Sequence, residues 1–119
     1  MRHHGTAASA AERLGFPGAA ALHRAHLGQA AHAVGDPDAP AALQRAESEA
    51  ERAGDLRLIA LVRVMRAEVE LASGRRAVAV ELLTAADRWF TGAGGGEGAD
   101  RATELLAGLA ADPDRSARV

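Results

Sequence analysis

Glycines recur in this chain in two interleaved sets, each with a period of about 40 residues. Gly15, Gly54 and Gly94 form one set, and Gly35 and Gly74 fall between them. The residues ahead of the first set repeat too. Ala10-Ala11-Glu12-Arg13-Leu14 precedes Gly15, and Glu49-Ala50-Glu51-Arg52-Ala53 precedes Gly54. Each interval holds two Ala/Leu-rich stretches with helical spacing, split by a glycine. A single helix pair cannot bury its apolar face and must lean on its neighbours. The pattern therefore predicts an all-α fold: a solenoid of about six antiparallel helices, with incomplete repeats at both ends.

Composition narrows the kind of core. The apolar fraction is 48%, but only two Phe, one Trp and no Tyr contribute to it, and much of the rest is alanine. Alanine buries little area, so the core must come from close helix approach rather than large side chains. Ala, Leu, Arg and Glu dominate, and all favour helix. The formal charge of −2 argues against a nucleic-acid binder, which would carry a basic stripe. Every basic residue is Arg. The absence of Cys removes disulfides, thiolate metal sites and cysteine chemistry. No apolar run reaches the ~20 residues that span a bilayer, and no secretory h-region opens the chain. The expectation is a cytoplasmic protein without membrane contact.

Along the chain, residues 1–5 read as a polar leader and residues 6–111 as one domain. Thr6 to Leu14 is predicted as the first helix, and Phe16-Pro17-Gly18 as a turn. Ala19 to Val34 follows, with Leu22, Ala25, Ala30 and Ala33 near one face. Asp38 is the expected N-cap of a helix reaching Ala53, with Pro40 in its first turn and Ala42, Leu43, Ala46, Ala50 and Ala53 inward. Leu56 to Ser73 is the most apolar stretch and should be central. Arg75 to Thr91 should turn Val78, Leu82, Leu83, Ala86, Trp89 and Phe90 inward. Gly92 to Gly98 reads as a flexible break. Ala99 to Ala111 is the last helix, with Leu105, Leu106 and Leu109 inward, and residues 112–119 are a polar tail.

The spacing resembles the tetratricopeptide repeat. That family places a small residue in its first helix, a Gly at the turn, and two small residues in its second helix. Gly28, Gly35, Ala41 or Ala42, and Ala46 take these places in one repeat. Ala67, Gly74, Ala79 and Ala86 take them in the next, with Leu83 at a large apolar position. The first repeat needs a one-residue deletion near Pro40, and the period matches longer-helix variants of the family. A narrower resemblance rests on Leu14-Gly15-Phe16, Leu27-Gly28-Gln29, Gly35-Asp36-Pro37, Gly54-Asp55-Leu56-Arg57-Leu58, Ala86-Asp87-Arg88-Trp89 and the Gly94–Ala99 loop. These look like the C-terminal tetratricopeptide regions of actinobacterial SARP-type and ATP-binding transcriptional regulators. The resemblance implies a detached regulatory module. No Gly-x-x-x-x-Gly-Lys loop is present.

Chemistry-bearing motifs are few. His23 and His26 share a helix face, but His32 lies about 180° from His23. No carboxylate completes a ligand set, so these read as surface or groove histidines. His3 and His4 fall in the leader. The glycines at 92–98 precede a helix, yet Glu97 and Asp100 would repel phosphate. Glu47, Glu49, Glu51, Glu68 and Glu70 lie near Arg45, Arg52, Arg63 and Arg66, and solvated pairs within helices are the expected arrangement. Ser9, Ser48, Ser73 and Ser116 have no His and Asp partners by motif. Trp89-Phe90 should close the core; if exposed, it would anchor a partner. No catalytic residue, cofactor or metal is expected.

The resemblance implies a non-catalytic interaction module whose first helices line a concave face. That face should present Ala25, Gln29 and His32 from one repeat and Val64, Glu68 and Leu71 from the next, flanked by Arg63 and Arg66. A protein or peptide partner would lie there. The unfinished repeats leave a homodimer as the alternative, and a metal- or ligand-binding bundle as a third reading.

Overall fold

The computed structural model describes residues 17–111, and these form five helices with no strand. They are α1 (Pro17–Ala33), α2 (Ala39–Ala53), α3 (Leu56–Ala72), α4 (Arg76–Ala93) and α5 (Ala99–Ala111). The fold is all-α over this span. The leader, the predicted helix Thr6–Leu14 and the tail 112–119 lie outside the described residues.

The helix ends explain the glycine period. At Gly35, Gly54, Gly74 and Gly94 the backbone turns left-handed, with φ of 78°, 69°, 82° and 83°. At each joint the residue after the glycine, or the next glycine, donates its N–H back to a carbonyl five residues earlier. These bonds are Asp36 to Ala31 (2.9 Å), Asp55 to Ala50 (3.2 Å), Arg75 to Glu70 (2.8 Å) and Gly95 to Phe90 (2.8 Å). This is the 6→1 closure that satisfies the last carbonyls of a helix and needs a residue without Cβ strain.

Helix starts differ more from expectation. Pro17 and Gly18 begin α1 rather than forming a turn, since proline is tolerated where no intrahelical N–H is required. Asp38 occupies the N-cap of α2 without capping it. Its own N–H instead bonds Asp36 Oδ1 at 2.9 Å. Asp55 does cap α3, accepting from Leu58 N at 3.1 Å. Asp55→Ala should therefore cost about 0.5–2 kcal/mol, read as a lowered midpoint in urea unfolding at unchanged slope. Gly92 lies inside α4, so the glycine-rich break shrinks to residues 94–98.

The helices pack as pairs. α1 lies most extensively on α2, and α3 on α4, while α2 meets α3 and α4 meets α5. α1 also touches α3, and α3 touches α5. α3 is thus enclosed on both sides. One core cluster joins Ala21, Ala25, Leu43, Ala46, Ala50, Ile59, Val62 and Met65 across α1, α2 and α3. The other joins Ala60, Val64 and Ala67 of α3 to Ala79, Leu83, Ala86 and Phe90 of α4 and Ala102 of α5. This explains the near-continuous apolar run of α3: one face serves each cluster.

The two pairs are built alike. Ala21, Ala25 and Gly28 of α1 correspond, one repeat on, to Ala60, Val64 and Ala67 of α3. Leu43, Ala46 and Ala50 of α2 correspond in the same way to Leu83, Ala86 and Phe90 of α4. Ala39 and Ala79, both fully buried, also match one repeat apart. Ala39 therefore holds the small position expected of Ala41 or Ala42, because the deletion falls in the turn before Pro40. A Cβ at Gly28 would meet Leu43 Cγ at 2.9 Å, which shows how near α1 and α2 approach.

Several inward assignments shift. Ala30 and Ala33 are exposed, while Ala20, Ala21, Ala25 and Ala31 are buried. α1 packs on both α2 and α3, and its buried arc runs opposite Ala30 and Ala33. Val78 is exposed because the contact line of α4 is Ala79, Leu83, Ala86 and Phe90. Phe90 is buried, whereas Trp89 is half-buried beside it. Their rings meet edge-on at 5.4 Å, and the Arg57 guanidinium sits 5.2 Å from the Trp89 ring centre.

Candidate interaction groove

Leu22 and Gln29 of α1 lie two helical turns apart, as do Leu61 and Glu68 of α3, so each pair lies on one stripe. The stripes match one repeat apart, Leu22 with Leu61 and Gln29 with Glu68. They run side by side because α1 touches α3. Leu22 and Leu61 line one recess, and Gln29 and Glu68 line another.

The first recess has an apolar base and a charged rim. Ala19, Leu22, Leu58 and Leu61 line it with Asp55, Arg57 and Glu97, around a cavity of about 280 Å³. Gly96 and Gly98 bring the α4–α5 loop against it. A Cβ at Gly98 would lie 3.0 Å from Leu61 Cδ1 and 3.4 Å from Phe90 Cζ. One at Gly96 would clash with the Arg57 guanidinium. Gly98 thus serves close packing of the loop against Leu61 of α3.

The second recess is polar. Gln29, His32, Met65, Glu68, Val69 and Arg101 line a cavity of about 330 Å³. Arg101 Nε donates to Glu68 Oε1 at 2.6 Å, joining α5 to α3. Arg101 Nη1 donates to Glu104 Oε1 at 3.1 Å. The hydrogen bond to Glu68, followed by the charge of Glu68, pushes the Arg101 pKa above the ordinary arginine value. Across the helix face, His26 Nδ1 lies 3.3 Å from Gln29 Oε1.

The structure redistributes the expected site residues. Gln29, His32 and Glu68 come together in the polar recess. Ala25 and Val64 are corrected: both are buried, against α2 and α4 respectively, and offer no surface. Leu71 is half-buried and packs on the second core cluster. Arg63 and Arg66 do not flank the groove. They lie roughly 140–160° around α3 from Glu68 and face α2. There Glu47 accepts from Arg66 Nη1 at 2.8 Å and from Arg63 Nε at 3.5 Å.

Four of the carboxylates expected to pair within helices, Glu47, Glu49, Glu68 and Glu70, instead reach between elements. Arg24 of α1 pairs with Glu49 of α2 at 2.7 Å, and Arg75 pairs with Glu70 across the α3–α4 turn. Arg76 Nη2 donates to the Leu109 carbonyl of α5 at 2.8 Å. These contacts tie neighbouring helices and leave Glu68 and Arg101 as the charged residues of the polar recess.

Sequence reading missed Leu22, Leu61 and Met65 as groove residues. The signal was present in the one-repeat match of Leu22 and Gln29 with Leu61 and Glu68. Arg101 had no such signal, because the longer 94–98 joint breaks the period ahead of α5. Among the described residues no group of three His, Cys, Asp or Glu is placed to hold a metal ion. None of their helices is long and apolar enough to cross a membrane. No family model, curated protein or solved structure matches the chain. Its functional reading rests on the groove itself.

Proposed function

We propose that this chain is a non-catalytic helical-repeat interaction module of tetratricopeptide type. It holds a peptide or helix of a protein partner along the inner faces of α1, α3 and α5, in a regulatory role. The observation that carries the reading is the pair of matched stripes, Leu22 with Gln29 and Leu61 with Glu68, flooring one groove with an apolar and a polar recess. Apolar floors with a few fixed polar groups suit peptide recognition. Two helix pairs related by a one-repeat offset support the repeat architecture.

The test is affinity capture from the native cytoplasm, with the intact chain beside the triple variant Gln29→Ala, His32→Ala and Glu68→Ala. Capture of the partner should fall by about tenfold or more, the scale of losing an interface hot spot. Helicity should be retained, since none of the three side chains belongs to either core cluster. Equal capture by both forms would sink the groove reading. Recovery of the chain alone would put self-association in its place.

A further inference from the structure

We propose that α5 opens as a unit about its glycine joint while α1–α4 stay folded, and that this opening takes the polar recess apart. Its bearing on a partner rests on the groove reading above; the opening itself does not. α5 is the most lightly buried of the five helices. Ala102 is its one buried residue, where α2 has four, α3 nine and α4 four. Its leucines, Leu105, Leu106 and Leu109, are half-buried on the α3–α4 cluster. A segment with few buried apolar contacts opens at a lower free energy than the body of its domain.

The joint ahead of α5 supplies the pivot. Gly94, Gly95, Gly96 and Gly98 all have positive φ, whereas each of the other three joints holds one glycine. Such residues absorb a backbone rotation without a Cβ clash. On the body side the joint is seated. Gly95 N donates to the Phe90 carbonyl at 2.8 Å, and the Arg57 guanidinium lies between Gly96 and the Trp89 ring. Beyond the joint, Arg101 ties α5 to Glu68 of α3, through side chains that are 48% and 34% exposed. A pair so open to solvent is weak and is screened by salt. Arg101 is also the one wall of the polar recess that α5 supplies; the others belong to α1 and α3. Opening removes that wall and leaves Glu68 without this cation. A partner seated in the recess therefore holds α5 closed, by linkage.

The test is residue-resolved amide hydrogen exchange on the intact chain, followed by NMR in increasing sub-denaturing urea. The α5 amides, from Ala102 through Leu109 alike, should exchange about a hundredfold or more faster than the slowest amides of α3. Their rates should rise with urea at less than about half the α3 slope, because opening exposes less surface than unfolding. Leu43→Val separates the two events. It weakens the α1–α2 contact, which the open form keeps, so α3 should exchange about threefold or more faster while α5 keeps its rate. Arg101→Ala should speed α5 exchange about two- to fivefold.

Equal rates or equal urea slopes in α5 and α3 overturn the proposal. So does α5 exchange that rises with α3 in Leu43→Val, because α5 then opens only when the whole domain unfolds. Rates graded from a fast Leu109 to an Ala102 as protected as α3 overturn it too, since that is fraying of a helix end and no pivot. An Arg101→Ala chain whose α5 exchanges as before overturns the link to the recess. None of these outcomes touches the interaction-module reading, which the capture experiment tests separately.

Discussion

Phe90→Ala should destabilise the protein by about 3–5 kcal/mol, the usual cost of emptying a buried aromatic site. Among the described residues Phe90 is the largest fully enclosed side chain, at 2% exposure, and it sits where three elements meet. It closes the α3–α4 cluster, contacts the Trp89 edge, and backs the loop glycine Gly98. The fully buried residues of its cluster are mostly alanines, Ala60, Ala67, Ala79, Ala86 and Ala102, while leucines and Trp89 pack around their edge. The alanines cannot fill the void, and whatever the edge residues recover sets where in that range the loss falls. Domains of this size have about 5–15 kcal/mol in total, so the change removes a large share of the stability. In a thermal scan the transition should move down by roughly 10 °C or more. A shift of only a degree or two would mean that α4 is held by something other than this cluster.

Leu43→Ala should cost about 2–5 kcal/mol by the same reasoning. Leu43 is fully buried and is the one large residue that α2 contributes to its cluster. Its neighbour Gly28 gives the site a sharper test. Gly28→Ala alone places a methyl 2.9 Å from Leu43 Cγ. Overpacking of this kind costs about 1–3 kcal/mol, offset in part by the roughly 0.5–1 kcal/mol that Ala gains over Gly in a helix. With Leu43 truncated, the clash is gone and the helix gain remains. Gly28→Ala should then become neutral or stabilising in the Leu43→Ala background. Equilibrium unfolding of the four forms yields the coupling, expected at about 1–2 kcal/mol. Simple additivity would show that α1 and α2 do not meet at this point.

Much of the fold was legible because its punctuation is chemical. Glycine at positions 35, 54, 74 and 94 marks the left-handed joints directly, since few other residues adopt that backbone without strain. Helices α2 and α3 end close to their expected limits for the same reason. The faces were harder to read. In α1 nearly every second or third residue is alanine, so periodicity does not distinguish Ala25, which is buried, from Ala30, which is exposed. Only the packing of α1 against two helices decides between them.

The site divides in the same way. Gln29 and Glu68 were readable because they occupy the same place in successive repeats. Arg63 and Arg66 looked equally suited to a groove, and only the position of Glu47 on α2 shows that they hold helices together instead. Arg101 became visible only once α5 was set beside α3. A composition so rich in arginine and glutamate offers many possible pairs, and sequence separation alone does not rank contacts between helices.

The matching joints also determine which changes in length the chain can absorb. One residue added within α3 would rotate every later side chain of that helix by about 100°. Glu68 would leave the face it shares with Gln29, and Ala67 would leave α4. One residue added between α4 and α5 would leave both stripes in register. Loss or gain of chain should therefore accumulate at the joints and spare the helices, and the extended glycine run at 94–96 stands at the joint where such variation disturbs the paired helices least.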